Sequence, residues 1–236
     1  MGGSTDVTSN YSIIYKEGNL TINAIDASGM VVYGIEAQTY TGSALTPNVT
    51  VKDGSTTLAS GTDYTVSYSN NINAGEATVT VKGIGHYAGT KTATFAINKA
   101  QLTVKAGSYT MKQGQALPTF VATYEGFVNG ETPDVLTTKP TLTTTATSTS
   151  EPGEYEVTIG GAVAQNYEFS YEKGTLTVEL LKGDVTGDGN VNAADVSALA
   201  SYLVGGGELA NPAAAYINDD NKIDIVDLAA LIELVK

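Results

Sequence analysis

The sequence predicts a multidomain protein in which two small all-β modules of the β-sandwich type precede an all-α module of two loop–helix motifs. Three observations support this fold class. Short runs of alternating apolar and polar residues recur between turn residues over most of the chain. Of 33 Thr residues, 32 lie before Lys182, after which Ala, Leu, Asp and Asn dominate. Residues 183–236 contain two similar segments in which oxygen-bearing side chains occupy alternate positions.

An internal repeat defines the first boundary. NYSIIYKEGNLTI at residues 10–22 and NYEFSYEKGTLTV at residues 166–178 are identical at six of thirteen positions. In each copy, apolar and polar residues alternate on both sides of a Gly at which the chain is expected to turn. This pattern predicts a β-hairpin. Because the later copy closes a complete module, we expect residues 1–23 to be the terminal hairpin of a truncated preceding β module.

Two strand-rich stretches follow, at residues 24–98 and 99–180. Each contains short segments of strand-like alternation, about 7–11 residues long, separated by Gly, Asn, Asp or Ser. Strands of this length and spacing predict small antiparallel sandwiches or β-grasp-like sheets. We therefore expect two β modules and, from residue 181 to 236, the helical module.

The composition excludes several classes of function. With 12 Lys against 25 Asp and Glu, the net charge is −13, and no two Lys are adjacent, so a nucleic-acid-binding surface is not expected. Without Cys there can be no thiol nucleophile, disulfide or Cys-based zinc site. No apolar run approaches the roughly 18 residues of a membrane span.

We expect no catalytic residues. His86, the single His, lies in a Gly-rich turn without a neighbouring acid or nucleophile. Glu125, Glu131, Glu154 and Glu156 follow turns or alternate outward along strands, which argues against the facing carboxylates of a glycosidase. Neither a G-x-G-x-x-G turn nor a Walker loop occurs, so nucleotide-dependent chemistry is not expected.

The first loop of the C-terminal module, in GDVTGDGNVNAADVSAL, predicts a calcium site. Its candidate ligands are Asp184, Thr186, Asp188, Asn190, Asn192 and Asp195. With Asp184 as position 1 they occupy positions 1, 3, 5, 7, 9 and 12, from which a twelve-residue loop delivers oxygens to Ca²⁺. Gly189 at position 6 suits the sharp turn with positive φ. A helical apolar stripe follows, at Val191, Val196, Leu199, Leu203 and Val204.

A second copy, YINDDNKIDIVDLAALIEL, begins 32 residues later. With Asp227 at position 12, the candidate ligands are Asn218, Asp220, the backbone carbonyl of Lys222, Asp224 and Asp227. Tyr216 at position 1 cannot supply a carboxylate, whereas Asn221 at position 6 tolerates the left-handed conformation. We therefore expect two Ca²⁺ sites, the second weaker.

The β modules resemble bacterial surface repeats. Residues 38–97, from QTYTG through VTVKDG and GTDYTVSYSNN to TATFAI, resemble Ig-like repeats of bacterial surface proteins. The following module, with LTVKAGSYTMKQG, YEGFVNGE and YEKGTLTV, resembles the MBG type of Ig-like repeat. The resemblance implies spacer or adhesive modules without catalysis.

Residues 183–236 resemble a dockerin, because both loops end in Asp where an EF-hand has Glu and no helix precedes the loop. This resemblance implies a module that folds around Ca²⁺ and binds a cohesin domain, anchoring its parent to a scaffold or cell surface in a cellulosome-like assembly. Carried over by position, the cohesin-binding residues are Ala193, Ala194, Ala200, Ser201, Ile225, Val226, Ile232 and Glu233.

Together these inferences predict a non-catalytic bacterial protein fragment, secreted or attached to the cell surface, that binds cohesin in a calcium-dependent way. Two alternatives remain open. The β modules, which are rich in Tyr, could make the protein an adhesin or a polysaccharide-binding protein. The chain could also be the accessory C-terminal region of a secreted polysaccharide-degrading enzyme.

Overall fold

The computed structural model describes residue 14 and residues 16–236. Most of the hairpin expected within residues 1–23 therefore lies outside the described residues. Residues 16–24 are exposed and belong to no helix or strand.

The described part of the chain contains sixteen strands followed by two helices. The strands are β1 Ile25–Asp26, β2 Val31–Tyr33, β3 Gln38–Thr39, β4 Thr50–Asp53, β5 Thr56–Thr57, β6 Tyr64–Ser69, β7 Gly75–Gly83, β8 Tyr87–Ala88, β9 Thr90–Asn98, β10 Ala100–Lys105, β11 Ser108–Lys112, β12 Thr123–Glu125, β13 Thr141–Thr144, β14 Gly153–Gly160, β15 Tyr167–Glu172 and β16 Gly174–Glu179. The helices are α1 Ala193–Leu203 and α2 Ile225–Leu234. All strands precede Lys182 and both helices follow it, which confirms the predicted fold class.

The contacts divide the chain into two units. The first comprises the described residues up to Ile35 together with Pro47–Ser69 and Thr78–Thr94. In it, β4 pairs antiparallel with β2 and β5, and β6 pairs antiparallel with β7. Val51, Val79 and Val81 are fully buried, as the alternation of apolar residues along β4 and β7 predicts.

The second unit comprises Glu36–Thr46, Asn70–Ala77 and Phe95–Lys236. Its β part contains a three-stranded sheet in the order β12-β10-β15 and a four-stranded sheet in the order β11-β16-β14-β13. The pairs β10–β15 and β11–β16 are parallel, so the expectation of antiparallel sheets is wrong for these pairs. The hydrophobic core of the second sheet is formed by Ala106, Met111, Ala146, Val157, Leu176 and Val178.

Two glycines allow the chain to cross between these sheets. Gly107 joins β10 to β11 with φ of 75°, and Gly174 begins β16 directly against it. A Cβ at Gly174 would lie 1.9 Å from the carbonyl oxygen of Gly107. The N–H of Thr175 donates to that same oxygen at 3.1 Å. The crossing therefore requires a residue without a side chain at position 174.

An aromatic cluster within the second unit surrounds Tyr167, whose side chain is buried. The rings of Tyr40 and Phe127 contact Tyr167 edge to face, with centroids 5.7 and 5.4 Å away. The hydroxyls of Tyr40 and Tyr167 both donate to the carboxylate of Glu131. Burial, and then the Glu131 carboxylate, raise the pKa of Tyr167 to about 12. Glu131 thus serves as a hydrogen-bond acceptor for two phenols.

The two helices pack around a separate core formed by Val185, Leu199, Leu209, Ala214, Ala215 and Leu231. Of the predicted stripe, Val191, Val196 and Leu203 pack against this core, but Val204 is 84% exposed because α1 ends at Leu203. Within the described residues, neither helix has the length and apolar character needed to cross a membrane.

Candidate metal centre

The first loop, residues 184–195, folds so that its two terminal carboxylates are buried. Asp184 and Asp195 have no exposed surface. Between them the chain turns twice through left-handed conformations, at Gly187 with φ of 72° and at Gly189 with φ of 81°. The turn predicted at Gly189 is therefore present, and it brings position 12 of the loop back toward position 1.

Asp184 organises the middle of the loop through backbone hydrogen bonds. Its Oδ1 accepts from the N–H of Asp188 at 3.0 Å, and its Oδ2 accepts from the N–H of Gly189 at 2.9 Å. These bonds hold positions 5 and 6 around the position 1 carboxylate, which is the arrangement a cation-binding loop needs.

Asp195 joins the other end of the loop to α1. Its Oδ1 accepts from the N–H of Thr186 at 3.0 Å and from Oγ1 of Thr186 at 2.8 Å. Its Oδ2 accepts from the N–H of Asn192 at 2.9 Å, while Oδ1 of Asn192 accepts from the N–H of Ala194 at 2.8 Å. This reciprocal pair is a capping box, so the last predicted ligand also begins the helix.

The remaining predicted ligands lie at the rim. Oγ1 of Thr186 is 3.4 Å from Oδ1 of Asp184 as well as in contact with Asp195, so these three residues converge. Asp188 and Asn190 are exposed, and Oδ1 of Asp188 accepts from the N–H of Asn190 at 2.9 Å. The loop thus presents two buried carboxylates, one hydroxyl and a rim of carboxylate and amide oxygens.

This donor set fits Ca²⁺. Within residues 14 and 16–236, no Lys forms an ion pair with Asp184 or Asp195. In the same residues no group of three or more His, Cys, Asp or Glu side chains is arranged to hold a metal ion, so further ligands would have to be hydroxyl, amide or carbonyl oxygens. Two buried carboxylates without a cation carry a large desolvation cost, which a bound cation offsets. Oxygen donors from carboxylate, hydroxyl and amide groups select a hard cation of flexible coordination.

The second loop, residues 216–227, repeats the end of the first. Asp227 is fully buried; its Oδ1 accepts from the N–H of Ile217 at 2.9 Å and its Oδ2 from the N–H of Asp224 at 3.0 Å. Asp224 caps α2 in return. Asp219 and Asn221, with φ of 60° and 59°, reproduce the two left-handed turns of the first loop.

The start of the second loop differs. Tyr216 stands at position 1, and the N–H of Asp220 donates instead to Oδ1 of Asn218 at 3.1 Å. Nδ2 of Asn218 donates back to Oδ2 of Asp220 at 3.0 Å, and the N–H of Lys222 donates to Oδ1 of Asp220 at 2.9 Å. Asn218 and Asp220 are exposed, so this loop buries one carboxylate where the first buries two.

Two family models match this chain. Residues 102–177 match the MBG domain of YGX type, and residues 182–236 match the dockerin type I domain. The chain carries an MBG domain followed by a type I dockerin. The predicted resemblances of these two stretches to the MBG type of repeat and to a dockerin are confirmed, whereas that of residues 38–97 to Ig-like surface repeats stays a prediction. A type I dockerin implies calcium-dependent assembly with a cohesin, and neither module is of a catalytic type. No curated protein matches the chain.

The two loops of the dockerin are connected through its core. The N–H of Gly183 donates to the carbonyl of Ala214 at 2.9 Å. A Cβ at Gly183 would lie 2.9 Å from Cγ1 of Val191 and 3.0 Å from Cδ1 of Leu231, so the residue before the first loop packs against Val191 of that loop and Leu231 of α2. Lys182 adds an ion pair with Asp219 of the second loop.

The helix residues that the dockerin resemblance implies to bind cohesin differ in their exposure to solvent. Ala193 and Ala194 are exposed at the start of α1, whereas Ala200 and Ser201 are half-buried. On α2, Ile225 is 68% and Val226 53% exposed, and Ile232 and Glu233 are also exposed. The larger apolar side chains are therefore on the second helix.

Two residues near the first loop are not among those that the sequence predicts to belong to the site. Gln113 and Gly114 of the MBG domain lie against it, and Nδ2 of Asn211 in the dockerin donates to Oε1 of Gln113 at 3.1 Å. The sequence does not indicate this contact, because an isolated Gly after a strand predicts only a turn.

Proposed function

We propose that this chain is a non-catalytic extracellular adaptor whose dockerin binds a cohesin in the presence of Ca²⁺, and whose β modules act as spacers. Cohesin binding would anchor the parent protein to a scaffold or cell surface. The observation that carries the proposal is the double role of Asp195 and Asp227. Each is the last residue of a loop and also the acid of the capping box that begins a helix. The same side chain therefore contributes to the proposed metal site and fixes the start of the helix that would contact cohesin.

The proposed ligands of the first site are Asp184, Thr186, Asp188, Asn190, Asn192 and Asp195, and those of the second are Asn218, Asp220, Lys222 by its carbonyl, Asp224 and Asp227. A bound Ca²⁺ supplies the positive charge that offsets carboxylate desolvation. The residues of the chain hold the loops in shape. The carboxylates accept hydrogen bonds from backbone N–H groups, and the loops turn at residues with left-handed backbones. The capping boxes fix the first turns of α1 and α2. The second site is proposed to be weaker, because Tyr216 replaces the buried position 1 carboxylate.

The proposed cohesin-binding surface is centred on α2. Ile225 and Val226 occupy its first turn and Ile232 its last turn, and all three are exposed. Exposed apolar groups beside polar loops are typical of a protein-binding patch. The corresponding first-turn residues of α1 are Ala193 and Ala194, which offer less apolar surface. We therefore propose that α2 makes the dominant contacts.

A pull-down of the chain against a panel of cohesins, with Ca²⁺ or with EDTA, tests this function. We expect at least one cohesin to bind only with Ca²⁺. The double variant Ile225→Ser and Val226→Ser should weaken that binding by about tenfold or more, since central apolar contacts dominate interface energies. The matched control, Ala193→Ser and Ala194→Ser, should change it by much less. Binding that persists in EDTA, or equal effects of both double variants, would contradict the proposal.

A second candidate function is polysaccharide binding by the MBG domain. An open cavity of about 450 Å³ is lined by residues that include Lys99, Glu168, Phe169 and Tyr171. The rings of Phe169 and Tyr171 stack with centroids 6.1 Å apart, and such aromatic faces suit sugar rings. Retardation of the chain in gels containing soluble polysaccharides, lost in Phe169→Ala and kept in Asp184→Ala, would support this candidate over cohesin binding alone.

A further inference from the structure

Gly114 of the MBG domain packs directly on the first calcium loop. A Cβ at Gly189 would lie 2.4 Å from the carbonyl oxygen of Gly114, and a Cβ at Gly114 would lie 2.3 Å from Cα of Gly189. Both glycines also have left-handed backbones, with φ of 84° at Gly114 and 81° at Gly189. The contact is therefore backbone against backbone, and neither position has room for a side chain.

The contact covers a hydrogen bond inside the loop. Oδ2 of Asp184 accepts from the N–H of Gly189 at 2.9 Å, and the Cβ position of Gly114 is 3.2 Å from that same oxygen. Gly114 thus lies beside the position 1 carboxylate and over the position 6 turn. A loop held in this conformation loses less conformational entropy when it binds a cation.

The MBG turn that carries Gly114 is itself firmly held. The N–H of Gln113 donates to the carbonyl of Glu179 at 2.8 Å, and the N–H of Gly114 donates to the carbonyl of Ser148 at 2.7 Å. On the dockerin side, Asn211 bonds to Oε1 of Gln113 through Nδ2, and its N–H donates to the carbonyl of Val185 at 3.0 Å. Val185 follows Asp184, so one residue bridges the turn and the loop.

We propose that the Gln113–Gly114 turn is a positioning element for the first calcium site, and that the MBG domain thereby raises the calcium affinity of the dockerin. This inference rests on the proposed calcium binding. The turn contacts the folded loop, so it stabilises the conformation that binds the cation. By thermodynamic linkage, the cation strengthens the contact between the turn and the loop to the same degree.

Calcium titration of the full chain by calorimetry tests the inference, with Gly114→Ala as the main variant. The matched control is Gly130→Ala, because Gly130 also belongs to the MBG domain and has φ of 72°, but its Cβ position has nothing within 4 Å. We expect Gly114→Ala to weaken the first site by about tenfold, within the range usual for coupled sites, and Gly130→Ala to leave it unchanged. The second site serves as an internal reference and should not change in either variant.

A milder variant, Gln113→Ala, removes only the side-chain bond to Asn211 and should weaken the first site by a few fold without disturbing the turn. Faster hydrogen exchange at Gly189 in Gly114→Ala and Gln113→Ala would accompany the loss. Equal calcium affinities in the native chain, Gly114→Ala and Gln113→Ala would overturn this inference while leaving the proposed function intact. A native chain that binds no Ca²⁺ would overturn both.

Discussion

Asp195 and Asp227 accept two matching backbone hydrogen bonds in loops that differ at their opposite ends. Oδ2 of each accepts from the N–H of the residue three positions earlier, at 2.9 and 3.0 Å. Oδ1 of each accepts from the N–H at loop position 3, at 3.0 and 3.3 Å. The bonds that join the end of the loop to the start of the helix are therefore preserved in both repeats, whereas a buried carboxylate at position 1 is present only in the first.

Chelation of calcium should unfold the dockerin selectively. Without a cation the buried carboxylates of both loops lose their charge compensation, and α1 and α2 lose the capping acids that those loops position. We expect EDTA to abolish the helical circular dichroism while the β signal persists. The same treatment of a chain ending at residue 180 is the control, and an unchanged helical signal would contradict the prediction.

Asp195→Asn should destabilise the dockerin more than Asp188→Asn. The Asp195 carboxylate is buried and accepts three hydrogen bonds, whereas Asp188 is exposed. Loss of a buried charged acceptor costs about 1–3 kcal/mol, and the amide also cannot accept from all of these donors. Thermal melts of the helical signal in saturating Ca²⁺ measure the difference. Similar melting temperatures for the two variants would show that burial of Asp195 is not important.

Tyr216→Asp should strengthen the second calcium site. The change restores a carboxylate at position 1, next to a loop whose left-handed turns at Asp219 and Asn221 already match those of the first. Calorimetric titration should show a second binding step at lower Ca²⁺ concentration than in the native chain. Tyr216→Phe is the control, since it alters the side chain without adding an oxygen ligand. It should not change the Ca²⁺ concentration at which the second binding step occurs.

Tyr167 should make the stability of the MBG domain sensitive to alkaline pH. Its folded pKa of about 12 exceeds the usual value of 10.0, so its contribution to stability is complete below pH 10. That contribution is lost as pH rises from 10 through 12, because ionisation places a buried phenolate beside Glu131. Melting temperatures measured from pH 9 to 12 should fall more steeply for the native chain than for Tyr167→Phe. A control variant at the exposed Tyr202, Tyr202→Phe, should follow the native curve.

The backbone conformation of the two dockerin loops could be predicted from sequence, because it depends on residues that are close together in the chain. Side chains at alternate positions around Gly189 specify the first loop, and the tolerance of Asn for positive φ explains why Asn221 can replace Gly in the second. The fold class could be predicted for the same reason, from alternation in the β modules and helical spacing in the dockerin.

Long-range features could not be predicted. The parallel pairing of β10 with β15 and of β11 with β16 joins strands far apart in the sequence, and alternation alone does not reveal their direction. The contact between Gly114 and Gly189 likewise depends on how two modules meet. The predicted apolar stripe is wrong at Val204, because helical spacing does not mark the residue at which a helix ends.

The parallel pairing determines how the MBG domain would respond to mechanical force. The chain enters this domain at β10 and leaves it at β16. When its ends are pulled apart, β11 and β16 are drawn in opposite directions along their shared axis. Five residue pairs, from Ser108↔Thr175 to Lys112↔Glu179, are then loaded together in shear, instead of opening one after another. Because these pairs must break together, we expect the domain to resist extension when its two ends are pulled apart.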